Sequence, residues 1–291
     1  MKPAAFDYIA PSSLEQALEL LARYGEDAKI IAGGQTLGPM LNMRMLTPGV
    51  LVDINALPEL QGYRAGGGGL TLGALTRQSS LEDDAGLARV QPLVAAAIPH
   101  IAHRAIRNRG TVGGSLAHAD PAAEWGALVQ ALDGEMIVAG HGVEQRTIAA
   151  DAFFDGLLTT AIEADELLVG VRLPPWRAGS GWSFREFSRR HGDFALAGVA
   201  CRLVLDASGR CTEAALGLIG LGDRPLRARA AEALMIGEPG GGELYRAGAA
   251  RAAQALDPLD DIHASAAFRR HLARVLVEDA LTEAAQRCVA E

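Results

Sequence analysis

Ala32-Gly33-Gly34-Gln35-Thr36 and Thr111-Val112-Gly113-Gly114-Ser115 are the two stretches from which the rest of the chain can be read. Each sets adjacent glycines beside a small hydroxyl residue. Backbone without a Cβ lets a ligand come close, and successive N–H groups in such a turn form a concavity for anions. Two of them in one chain point to a ligand with two phosphates, such as a dinucleotide. The familiar alternatives are missing: no Gly-x-Gly-x-x-Gly supports a Rossmann site, and no Gly-Lys pair makes a P-loop. A tight turn between elements is the plain reading of each stretch taken singly.

Around the first stretch the pattern alternates between helix and strand. Ser13 with Gln16 forms a capping box, Leu14, Leu18 and Leu21 share one face, and Gly25 closes the helix. Lys29-Ile30-Ile31-Ala32 reads as a short buried strand leading into the glycines. Val50-Leu51-Val52-Asp53-Ile54 reads as another, after the turn Thr47-Pro48-Gly49. Gly66 to Gly69 reads as a hairpin loop before Leu70-Thr71-Leu72. From Leu93 to the second glycine stretch the pattern is helical. A helix is expected within 124–132 and a strand at 135–138. This mixture predicts an α+β chain.

The Pro- and Gly-rich run 172–181 marks the domain boundary. Beyond it, 199–205 and 214–219 flank Asp206-Ala207-Ser208-Gly209 as an antiparallel hairpin. Helices are expected around 227–236 and 266–281, the last with Phe268, Leu272, Val275 and Leu276 as its apolar stripe. The reading therefore places a first domain at 1–176, with subdomains at about 1–56 and 57–176. A smaller domain of antiparallel sheet plus helices follows at 177–291.

Composition narrows the function. The 291 residues are 49% hydrophobic, enough for a sizeable core. The net charge is −8, the only lysines are Lys2 and Lys29, and no basic patch suggests a nucleic-acid partner. The opening residues lack the apolar core of a signal peptide, and no stretch reaches the length of a membrane span. Cys201, Cys211 and Cys288 are widely spaced without Cys-x-x-Cys, which fits a reduced, cytoplasmic setting. They cannot supply the thiolates of an iron–sulfur cluster, so any such cluster belongs to another chain.

Other candidates are weaker. His100, His103 and His118 have no partner completing a metal motif, so no metal site is expected. Arg107 and Arg109 could lend charge to a phosphate or pair with acidic neighbours. Hydrolase motifs are absent. Ser188-Arg189-Arg190-His191-Gly192-Asp193-Phe194 is either an ordinary loop or a second-domain loop that brings Phe194 over a flat ring.

Taken together, Phe6-Asp7-Tyr8, AGGQTL (32–37), IRNRGTVGGSLAHADPAAE (106–124), DFALAGVA (193–200) and DDIHAS (260–265) resemble the FAD-binding medium subunit of the molybdenum hydroxylases. Carbon monoxide dehydrogenase and the xanthine dehydrogenase flavin domain belong to that family. The likeness implies a two-part FAD-binding domain of the vanillyl-alcohol-oxidase type and a small C-terminal domain. It implies that Ala32, Gly33, Gly34, Gln35 and Thr36, with Thr111, Val112, Gly113, Gly114 and Ser115, hold the pyrophosphate through backbone N–H groups. Glu124 would match an acidic residue near the adenosine end. Asp193 and Phe194 would lie beside the isoalloxazine, with Phe194 where many members have tyrosine. Glu186 stands where relatives often have lysine.

The implied function is electron transfer. A large partner subunit would oxidise substrate at a molybdenum cofactor, and a small partner would carry the iron–sulfur clusters. FAD on this chain would pass the electrons to NAD or another acceptor. No acid–base residue is needed here, because the flavin carries the chemistry. The alternatives are a stand-alone FAD-dependent oxidoreductase and a non-catalytic assembly protein.

Overall fold

The computed structural model describes residues 2–288, and three sheets divide the chain in sequence order. The first holds β1 (Asp7–Ile9), β2 (Ala28–Ile31) and β3 (Val50–Asp53), all parallel in the order β1-β3-β2. The helix Leu14–Tyr24 makes the first crossover. Ser13 Oγ accepts the Gln16 N–H at 3.2 Å and caps it. The Gln16 side chain reaches back to the N–H of Ser12, at 2.7 Å, one residue earlier than a standard box would have it. Leu18 and Leu21 pack on Val50 and Val52.

The second sheet is antiparallel. β4 (Tyr63–Gly66), β5 (Gly69–Gly73), β6 (Glu135–Gly140), β7 (Arg146–Ala149) and β10 (Glu166–Leu173) run in the order β4-β5-β10-β6-β7. A separate small hairpin of β8 (Phe154–Gly156) and β9 (Thr159–Thr160) precedes β10. The long connection from β5 to β6 carries short helices and the second glycine stretch. The third sheet, also antiparallel, runs β11 (Gly181–Phe187), β12 (Ala197–Leu205), β13 (Cys211–Ile219), β14 (Leu226–Arg227).

The helix Glu124–Ala131 lies between the second and third sheets, and every one of its residues is buried. A helix apolar on nearly all sides suits that position. It sits so close to β13 that a Cβ on Gly217 would fall 2.0 Å from the Ala127 carbonyl oxygen. The helices Arg229–Met235, Gly242–Gln254 and Ala266–Arg287 cover the other side of the third sheet.

Three expectations change. The helix Gly242–Gln254 was not foreseen, because its buried positions are mostly Gly248, Ala249, Ala252 and Ala253. The apolar stripe of the last helix is rotated: Phe268 and Val275 are exposed, whereas Leu272, Ala273, Val277, Ala280, Leu281 and Ala284 face the sheet. Small side chains let the helix lie close, so alanine replaces bulk at the contact. The second glycine stretch is the first turn of a helix, Val112–His118, rather than a free-standing turn.

Candidate functional site

The two glycine stretches touch. Gly33 packs on the backbone just before the second stretch, where a Cβ would sit 2.2 Å from the Arg109 carbonyl oxygen. A polar clamp holds the contact. Asn55 Nδ2 donates to the Ala32 carbonyl at 2.8 Å, and an Arg77 guanidinium nitrogen donates to Asn55 Oδ1 at 2.6 Å. The same guanidinium donates to the Arg109 carbonyl. Asn55 and Arg77 had no signal in the sequence, being single polar residues in loops.

The stretches differ in their donors. The N–H groups of Gly33, Gly34, Gln35 and Thr36 donate to no acceptor among the described residues, and Gly34 takes the left-handed φ of +69°. In the second stretch, Val112 donates to the Thr76 carbonyl at 3.0 Å and Gly113 to Ala74 at 2.8 Å. Gly114 donates to Thr111 Oγ1 at 3.0 Å, and Ser115 to the Thr111 carbonyl at 3.1 Å. Thr111 thus caps the helix, and Gly113 seats it on Ala74, where a Cβ would come within 2.5 Å of the Ala74 methyl. Gly114 is exposed and Ser115 half-buried, so their surface stays open.

Charge beside the first stretch is mixed. Burial and the neighbouring Arg109 lower the Arg77 pKa, with Asp53 opposing. Burial works to raise the Asp53 carboxyl, but hydrogen bonds from Tyr8, at 2.5 Å, and from Asn55 prevail and hold it below its ordinary value. Arg107 is engaged elsewhere. It is buried, bonded to both Glu82 oxygens at 2.7 and 2.9 Å, and donates to the carbonyls of Ile101 and Ala102.

The loop between β11 and β12 closes the far end. Gly192, at φ +86°, lies against His103, so that a Cβ there would be 2.5 Å from the ring. The His103 and His191 rings are 6.2 Å apart. Asp193 is half-buried, 4.0 Å from Arg189, and Phe194 is 69% exposed. One continuous backbone path, from His103 through the helix Arg104–Arg107 to Arg109, joins this loop to the glycine stretches.

Glu124 is buried. It is 7% exposed, and burial, then the charges of Glu186 and Asp120, push its carboxyl up to about 8. Glu186 is also buried: Oε1 lies 3.5 Å from His100 Nδ1, and Oε2 has no hydrogen-bond partner. Among the described residues no group of three or more His, Cys, Asp or Glu side chains could hold a metal ion, and no helix is long and apolar enough to cross a membrane. Cys201 and Cys211 are buried, and burial pushes the Cys211 thiol up to about 11.

Comparison with known proteins agrees with this architecture. Residues 4–176 match the family described as the FAD binding domain in molybdopterin dehydrogenase, and residues 182–284 match the CO dehydrogenase flavoprotein C-terminal domain. The chain belongs to the FAD-binding medium subunits of the molybdopterin dehydrogenase family. It is 42% identical to the 6-hydroxypseudooxynicotine dehydrogenase complex subunit alpha of Paenarthrobacter nicotinovorans, over 99% of this chain and 97% of that one. It is 38% identical to the caffeine dehydrogenase subunit beta of Pseudomonas sp. (strain CBB1), over 99% and 98%. A solved structure of carbon monoxide dehydrogenase from Hydrogenophaga pseudoflava contains a chain 36% identical, with a TM-score of 0.96 over 99% of this chain and 100% of that chain. The family is one of oxidoreductase subunits, and in this member an FAD-binding domain precedes a C-terminal domain of antiparallel sheet and helices.

Proposed function

We propose that this medium subunit binds FAD along the seam formed by the two glycine stretches and the β11–β12 loop. There it relays electrons from iron–sulfur clusters on a small partner subunit to NAD or another acceptor. A large partner subunit would hold the molybdenum cofactor and oxidise the substrate. The observation that carries the reading is the row of unused N–H donors at Gly33, Gly34, Gln35 and Thr36, clamped against the second stretch. Such a row suits a pyrophosphate.

The residues fit the group in other respects. The first stretch offers N–H donors, and the second offers an open glycine surface and the Ser115 hydroxyl. Arg77 and Arg109 lend positive charge nearby. Phe194 presents an exposed ring in the position suited to cover a flat one. Bound FAD would supply the redox chemistry, and the chain would bind, orient and shield it. The three cysteines support the division of labour, since two are buried as thiols. They also suit a cytoplasmic setting. We further place the domain boundary at 176/177 and the subdomain boundary at 56/57, in keeping with the three successive sheets.

The test is FAD stoichiometry in the purified chain and in Gly114→Val. That glycine is exposed, and a Cβ there would lie 2.7 Å from Thr111 Oγ1. The Thr111 side chain must therefore turn away at the cost of its cap, about 1 kcal/mol, and circular dichroism on the same samples checks that the variant folds. Wild type should release one FAD per chain, and the variant should release little. Stoichiometric FAD in both would remove the second stretch from the site.

A further inference from the structure

A second concave surface lies at the opposite end of β5, where the β4–β5 hairpin meets the linker to the C-terminal domain. It is a groove of about 410 Å³ lined by Gly66, Gly69, Arg89, Gln91 and Trp176, among others. That volume lies within the usual range of small-molecule sites. A smaller cavity of about 60 Å³ adjoins it, sharing Gln91 and Trp176 and adding Asp133 and Arg202. The five residues of β5 separate the groove from Ala74, which supports the second glycine stretch, by roughly 17 Å at about 3.3 Å per residue. The groove is therefore distinct from the proposed flavin site.

Four features give it chemical character. Gln91 is 1% exposed, and its Nε2 donates to the Pro174 carbonyl at 2.7 Å, but Oε1 has no donor. Arg202 lines the smaller cavity; its terminal nitrogens pair with Glu213 at 3.0 Å and Asp133 at 3.7 Å, and its buried Nε is unmatched. Arg89 is exposed, and its charge helps hold the nearby Asp84 carboxyl below its ordinary value. Trp176 is half-buried, with part of its indole available. The glycine run completes the rim. Gly69 is required by the fold, with φ +106° and a Cβ position 2.1 Å from the Leu173 carbonyl oxygen. At Gly66, Gly67 and Gly68 a Cβ would meet nothing and no left-handed φ demands glycine. Glycine in a strand or its turn costs conformational entropy, and here the fold gives no reason for three of them.

We propose that this groove binds a purine nucleotide. The base would lie on Trp176 and donate an N–H to Gln91 Oε1, which is covered until the Gln91 side chain turns toward the groove on binding. The phosphate would meet Arg89, with the glycine backbone leaving room for the sugar. Because Pro175 and Trp176 belong to the linker between the two domains, such a ligand would act as an effector rather than as the electron acceptor.

Equilibrium dialysis of ADP against the FAD-loaded chain tests this, with pyrophosphate as the second probe. ADP should bind saturably, and pyrophosphate at least about tenfold more weakly. Arg89→Ala and Trp176→Ala should each weaken ADP about tenfold or more without changing FAD content. Arg89 is exposed, so its variant folds and decides the matter even if the Trp176 variant does not. No saturable ADP binding would overturn the proposal, as would equal binding of pyrophosphate or binding indifferent to Arg89→Ala. In a chain lacking FAD, ADP retained by Arg89→Ala marks the glycine stretches instead and also overturns the groove assignment.

Discussion

Glu124→Gln should make the protein more stable in alkali and leave it nearly unchanged in acid. In the native state Glu124 is 7% exposed, and burial with the nearby Glu186 and Asp120 charges raises its carboxyl from 4.5 to about 8. Below pH 4.5 both folded and unfolded chains carry the proton, and the group adds no slope. Between 4.5 and about 8 the native state holds a proton that the unfolded chain has released, so stability falls as pH rises. At about 1.4 kcal/mol per pH unit, the full loss above that window is about 5 kcal/mol. That is a large share of the roughly 5–15 kcal/mol by which domains are stable. Glutamine keeps the shape of the neutral acid and has no such slope. Urea unfolding of both proteins from about pH 5 to about pH 9 reads the effect. The variant should be ahead by several kcal/mol at the alkaline end. Parallel stability profiles across the range would refute the buried, proton-holding Glu124.

Three further outcomes follow from the same geometry. Arg107→Ala should cost about 2 kcal/mol in urea unfolding, because it strips the Ile101 and Ala102 carbonyls of their donor and leaves Glu82 with Arg104 alone. Arg107→Lys should recover only part of that, since it lacks the fork. Thr111→Ala should cost about 1 kcal/mol in thermal or urea unfolding by removing the cap at Gly114; an unchanged midpoint would show the cap to be idle. Phe194→Ala should leave the unfolding midpoint within about 0.5 kcal/mol, because the ring is 69% exposed, while altering the fluorescence of bound flavin.

Much of this was legible in the chain, for identifiable reasons. Ser13 and Gln16 mark a helix start through local hydrogen bonds, and Asp206 to Gly209 mark a hairpin through turn chemistry; both act within a few residues. The glycines announced close approach, and Gly33 is glycine because Arg109 from a distant segment lies against it. What the pattern could not reveal depends on partners far along the chain. The Asn55–Arg77 clamp spans two loops. Glu186 meets His100 only after the C-terminal sheet docks. The helix Gly242–Gln254 hides its buried face in alanine and glycine, which carry little hydrophobic signal. Thr111 looked like part of a turn, and its role as a helix cap needed the Gly114 N–H in view.

The absorption spectrum of the purified chain, with the released chromophore identified by chromatography and metals assayed on the same sample, tests the central claim most directly. The account predicts a yellow protein releasing one FAD per chain, with no iron and no molybdenum. A colourless protein that fails to take up added FAD would contradict it.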